Sequence, residues 1–94
     1  MTGERVLGLD YGSRRIGVAV SDPLGLTVQP LPPIRREGDK KDIDVLARLA
    51  AEMGMTSVVL SLPLLLNGDE EPAAVRARAF GERLRAKTSL PMTM

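Results

Sequence analysis

The stretch "LGLDYGSRRIGVAVSD", Leu7 to Asp22, holds two short apolar runs around a glycine-containing turn, with an acidic residue, Asp10, closing the first run. Bulky Leu7, Leu9, Ile16, Val18 and Val20 alternate with lean Gly8, Asp10, Gly17, Ala19 and Ser21. That period of two is the mark of strands with one packed face and one face stripped of bulk. Residues 5–10 and 15–21 therefore read as an antiparallel hairpin closed by Tyr11-Gly12-Ser13-Arg14. The simplest register sets Leu9 opposite Ile16, Leu7 opposite Val18 and Gly8 opposite Gly17, and it leaves Asp10 on the lean face.

An Asp ahead of a Gly often does no more than start a turn, by accepting hydrogen bonds from nearby amides. That role asks for no clearing around it. A carboxylate that holds a metal against a bulky polyanion needs a bare surface and a rigid strand beneath. Gly8, Gly17 and Ala19 favour this second role for Asp10. "GSRRIG" has the glycine spacing of a P-loop. It is excluded as one, because Val18-Ala19 stand where Lys-Ser/Thr should and the segment leads into a strand. Strand, Asp-x-Gly turn, strand is also how actin-like and sugar-kinase ATPases begin, but 94 residues leave no room for the second domain those proteins need.

Outward from the hairpin, Asp22-Pro23 and Gly25 mark a turn. "LTVQPLPPI" then supplies a third strand, which Pro30, Pro32 and Pro33 confine to an edge. "DKKDIDVLARLAAEMG" carries apolar residues at 43, 46, 47, 50 and 53, with Asp39 as N-cap and Gly54 as stop, the pattern of an amphipathic helix. "TSVVLSLP" is apolar without alternation, as expected of an interior parallel strand covered on both faces. "LLLNGDEE" is a loop turning at Asn67-Gly68, and Pro72 opens a second helix to about Lys87 with Ala73, Ala77, Phe80 and Leu84 buried. "LPMTM" begins a last strand. The order is three antiparallel strands, helix, strand, helix, start of strand. That order packs as an α/β mixed sheet with helices on its faces.

Composition narrows the chemistry. With neither Cys nor His there is no thiolate, imidazole base or Cys/His zinc site, so any catalysis rests on carboxylates, hydroxyls or amines. The opening "MTGER" lacks the apolar core of a signal peptide, and "VVLSLPLLL" is too short to span a bilayer, so the expected location is cytoplasmic. Net charge is only +1, but Arg14-Arg15, Arg35-Arg36, Lys40-Lys41 and the arginines between 76 and 85 are grouped, and phosphate-backbone binding needs only a local patch. Each pair taken singly reads as solvated surface charge. Tyr11 and Phe80 are the sole aromatics, which leaves no platform for stacking unpaired bases.

"LGLDYGSRRIGVAVSDPLGLTVQPLPPI", "VVLSLPLLLNGDEEPAAVRARAFGERL" and the closing "SLPMTM" together resemble, in order and over nearly the whole chain, the YqgF (RuvX) family. Its members are described as ribosomal-RNA precursor nucleases and as Holliday-junction resolvase-like, with an RNase H fold. The resemblance implies an RNase H-like domain over residues 1–94, incomplete at its C-terminus, with the last strand and a final helical region missing. It also implies two-metal phosphodiester hydrolysis with Asp10 as catalytic residue and ligand to Mg²⁺ or Mn²⁺, acting on an rRNA precursor or branched DNA. Arg14, Arg15, Asn67 and Gly68 are implied as substrate contacts. Two departures stand out: Leu65 replaces the family's usual Asn, and Asn67-Gly68-Asp69 replaces its Asp-Gly-Ser/Thr turn. The family's later Asp-Glu-Arg motif and a further active-site acid fall beyond Met94. One Asp leaves water to supply most ligands of a hard cation, so the expectation is a fragment inactive alone. The other readings are a non-catalytic nucleic-acid-binding or assembly module using Arg76, Arg78, Arg83 and Arg85, and, last, a nucleotide-phosphate site. An open edge at the final strand implies a homodimer.

Overall fold

The computed structural model describes residues 3–24, 27–62 and 72–94. Its elements follow the expected order: β1 (Val6–Asp10), β2 (Arg15–Ser21), β3 (Val28–Arg35), α1 (Asp39–Glu52), β4 (Ser57–Ser61), α2 (Pro72–Thr88) and β5 (Met92–Thr93). They form one five-stranded sheet in the order β3-β2-β1-β4-β5. The first three strands are an antiparallel meander, and β4 and β5 join parallel to β1 through the two helices.

The hairpin register differs from the simplest one. Leu7 pairs with Val20, Gly8 with Ala19, Leu9 with Val18 and Asp10 with Gly17, a shift of two residues. A slip of two preserves which face each side chain takes, whereas a slip of one would have turned Leu7 and Leu9 outward. Burial selects the face, and the longer connection from Tyr11 to Ile16 selects the register.

Between β2 and β3 the pairing jumps from Ile16↔Ile34 to Val18↔Leu31. Pro32 and Pro33 together oppose Gly17, a bulge that prolines suit because they have no N–H to give a ladder. The extra residue lets Leu31 and Ile34, three apart in sequence, both lean on the core.

The core lies between one sheet face and both helices. Leu7, Leu9, Ile16, Val18, Val20, Val58 and Leu60 meet Ile43, Leu46 and Ala50 of α1 and Phe80 and Leu84 of α2. The helices pack on each other, and Arg83–Asp39 (3.4 Å) and Lys87–Asp44 (3.5 Å) bridge them at the surface. This corrects three expectations. Among the described residues the helices cover one face rather than both, so β4 alternates between buried Val58 and Leu60 and open Val59, which is 43% exposed. The buried stripe of α2 begins at Ala74 rather than Ala73. The N-cap of α1 is Gly38 rather than Asp39, which lies inside the first turn. At Gly81 the sheet approaches so closely that a β-carbon would stand 2.8 Å from Leu60 Cδ2.

Candidate functional site

Asp10 ends β1 on the face the helices leave open. Gly8, Gly17, Ala19, Val59 and Ser61 surround it, with Leu9 and Val18, in a shallow hollow of about 220 Å³. Ser61 is its register partner on β4, as Gly17 is on β2. A β-carbon at position 17 would come 3.3 Å from the Asp10 β-carbon, so glycine there is what leaves the carboxylate clear. Asp10 is exposed and, among the described residues, its carboxylate makes no hydrogen bond or ion pair.

Asp22 shows what a turn-forming aspartate looks like in the same chain. Its Oδ1 accepts from the Leu24 amide at 2.9 Å, and its Oδ2 accepts from the Thr27 amide at 2.9 Å and the Thr27 hydroxyl. Both oxygens are engaged, as expected of an Asp-Pro turn. The contrast with Asp10 removes the turn explanation for the latter.

The turn after Asp10 is held by residues whose role the sequence reading missed. Arg36 Nη1 donates to the Gly12 carbonyl (2.9 Å), Nε to Asp42 Oδ2 (2.6 Å) and Nη2 to Asp39 Oδ1 (2.5 Å). Its guanidinium lies 4.6 Å from the centre of the Tyr11 ring, and that ring leans on Phe80 at 5.2 Å. Asp42 is only 1% exposed, and its second oxygen takes the Glu37 amide at 3.1 Å. Burial opposes the charge on Arg36, but the Tyr11 and Asp42 side chains outweigh it and lift the group above its ordinary range. The available signal was spacing: acids three and six residues after Arg36, one of them on the inward stripe of α1.

Of the other expected site residues, Arg14 and Arg15 are exposed at the same end of the sheet as Asp10. With Ser13, Pro33, Arg35 and Arg36 they line a groove of about 670 Å³. A second groove, about 340 Å³, meets it at Ser13 and Arg36 and is lined also by Tyr11, Gly38, Ala73 and Arg76. Asn67, Gly68, Leu65 and Asp69 lie outside the described residues.

As a metal site the described residues fit in part. They contain no cluster of three or more acidic side chains that could enclose a cation. Asp10 offers one unengaged carboxylate on open surface, the donor type that Mg²⁺ or Mn²⁺ accepts, with water left to fill the remaining positions. Among the described residues no helix is long and apolar enough to cross a membrane.

Known proteins match this arrangement. A protein of Myxococcus xanthus named as a pre-16S rRNA nuclease is 49% identical over 80 residues, which cover 85% of this chain and 53% of the relative. One of the same name from Moorella thermoacetica is 43% identical over 88 residues, covering 94% and 63%. The chain thus spans between half and two thirds of the length of these relatives. Among solved structures, Thermus thermophilus RuvC in complex with a Holliday junction substrate superposes with a TM-score of 0.65 at 14% identity, over 95% of this chain and 62% of that one. A Bacteroides thetaiotaomicron protein with an actin-like ATPase fold reaches 0.60 at 9% identity, over 98% and 33%. At such identities the likeness concerns the fold, which is the RNase H-like mixed sheet expected from the sequence. The family profile described as RuvX, Holliday junction resolvase, matches residues 4–94, and the chain belongs to that family.

Proposed function

We propose that this chain carries the first carboxylate, Asp10, of a metal-dependent nuclease that hydrolyses phosphodiester bonds in structured nucleic acid. The observation that supports this most is the state of Asp10: exposed, without a partner among the described residues, and set on a strand whose neighbours have little or no side chain. A bound Mg²⁺ or Mn²⁺ would supply charge stabilisation at the phosphate and lower the pKa of a bound water. The residues of the chain do the rest. Asp10 would fix the cation through one oxygen. Gly8 and Gly17 admit the backbone of the substrate to the strand surface. Arg14 and Arg15 would hold phosphates beside the reacting one, and the Arg36–Asp42 anchor keeps the turn from Tyr11 to Arg14 in place. Asn67 and Gly68 stay proposed as contacts in the loop before α2.

The substrate consistent with relatives named for pre-16S rRNA is a precursor of ribosomal RNA, and branched DNA is the other candidate. A cytoplasmic location and a single RNase H-like domain belong to the same proposal. With one carboxylate in reach, this chain alone is expected to cleave poorly or not at all. The test uses the chain joined to the C-terminal remainder of the Myxococcus xanthus relative. Asp10→Asn should lower Mg²⁺-dependent cleavage by about a hundredfold or more while leaving nucleic-acid binding intact. Cleavage that survives the substitution unchanged would remove Asp10 from the reaction.

The non-catalytic module remains a second reading, favoured by the absence of a complete acidic cluster among the described residues. Binding by the joined protein with no cleavage at any metal concentration would support it.

A further inference from the structure

The chain treats its cations in two ways. On α2, Arg83 reaches Asp39, Arg85 reaches Glu82 at 2.9 Å and Lys87 reaches Asp44. At the end of the meander the opposite holds. Arg14, Arg15 and Arg35 are exposed and, among the described residues, none of the three side chains has an ion pair or hydrogen bond. Among the described residues no acidic side chain lines the groove they share. Arg36, at its base, is already matched by Asp39 and Asp42.

The sharpest feature is that Arg15 and Arg35 are register partners across β2 and β3. Like charges directly opposite on adjacent strands destabilise a sheet, and nothing among the described residues offsets this pair. The pair is also held firmly, since the Arg36 amide donates to the Arg14 carbonyl at 2.9 Å and the Pro32-Pro33 bulge lies next to it. Bulges re-aim neighbouring side chains. A fixed, unneutralised cluster of guanidiniums suits an anion, and their forked donors match phosphate oxygens.

Strand geometry gives the offset from Asp10. Arg15 lies two residues along β2 from Gly17, the partner of Asp10, on the same face, and Arg35 lies one strand further out. Strand rise and spacing put the Arg35 backbone on the order of 12 Å from that of Asp10. At ~3.4 Å of axial rise per phosphate on one strand, this corresponds to roughly three or four nucleotides. No aromatic residue lines the groove to stack a base or a free nucleotide.

We propose that Arg14, Arg15 and Arg35 form a phosphate groove on the β3 side of Asp10, which holds the sugar-phosphate backbone of a nucleic acid several nucleotides from the bond facing Asp10. The offset from a scissile bond rests on the function proposed above, whereas the groove as a backbone-binding site does not. The inference adds Arg35 to the substrate contacts and requires the substrate to continue past the cut on that side.

The experiment measures binding of a labelled 12-nucleotide single-stranded RNA and a 12-base-pair duplex to this chain from low to moderate salt. Arg35→Gln should weaken both and reduce the slope of log affinity against log salt by about 0.7 for the single strand and 0.9 for the duplex. Arg85→Gln, which removes a cation already paired with Glu82, should change the slope by much less. Undetectable binding by the unaltered chain at low salt, or equal slope changes for the two variants, would overturn the groove. Equal Arg35-dependent binding to anionic lipid vesicles would also overturn it, as marking a general anionic surface rather than a nucleic-acid groove. Loss of the Arg35 effect with Asp10-dependent cleavage retained in the joined protein overturns the groove alone. The reverse outcome overturns the catalytic reading and leaves the groove standing.

Discussion

At the scale of single residues, the cleared ground beside Asp10 has a measurable cost. Glycine in a strand interior is destabilising by roughly 0.5–1 kcal/mol relative to alanine, and Gly8 and Gly17 both sit on paired strands. Gly17→Val should shift stability by no more than about 1 kcal/mol in denaturant unfolding, because the gain in strand propensity is set against the close contact with Asp10. It should also impair any function of Asp10, because the new side chain starts 3.3 Å from the Asp10 β-carbon. A variant that loses stability and keeps full function would show that Gly17 serves the fold. Arg36 behaves in the opposite way. Arg36→Gln strands the buried Asp42 carboxylate and should cost about 3 kcal/mol or more, whereas Arg36→Met with Asp42→Leu together should recover most of it. If the double variant is as unstable as the single one, the ion pair is not what anchors the turn. The face taken by Asp10 was legible in the sequence because alternation sets it. The Arg36 cluster was not, because its members are brought together by the junction of β3 with α1 rather than by any local period.

Among the elements, the connection from β3 into α1 carries more than its length suggests. Gly38 caps the helix with φ 125° and ψ 149°, a region open almost only to glycine. The sequence reading placed the cap at Asp39. The structure uses that aspartate for Arg36 and Arg83 instead and leaves the Gly38 carbonyl to accept the Asp42 amide at 2.9 Å. Gly38→Ala should destabilise by about 1–3 kcal/mol, read as a fall in unfolding midpoint at constant m-value. Little change would show that the backbone can relax there. Element types, order and the edge position of β3 followed from period and proline placement, which are local properties. The two-residue register shift and the bulge did not, because both depend on how a strand meets its neighbour, and a slip of two leaves the sequence pattern unchanged. The uncovered side of β4 was hidden for a similar reason: the apolar run "SVVLS" reads the same whether Val59 is covered or open.

Over the whole molecule, the sheet has one face under helices and one bare among the described residues. Val59 on β4 and Val28 on β3, the latter 70% exposed, stand open, and β5 forms an edge of two paired residues. Self-association follows as an expectation. Sedimentation should show a concentration-dependent dimer that Met92→Pro, which removes an N–H facing away from β4, weakens. A monomer at all concentrations would end that proposal. The same bare face is where the chain offers an unengaged carboxylate, and a titration with Mn²⁺ followed by paramagnetic broadening of backbone amide signals tests that offer most directly. Broadening should begin at Asp10, Gly17 and Ser61, appear only at high metal concentration as one protein ligand requires, and vanish in Asp10→Asn. Broadening centred on other acidic residues, or unchanged by that substitution, would contradict the role given to Asp10.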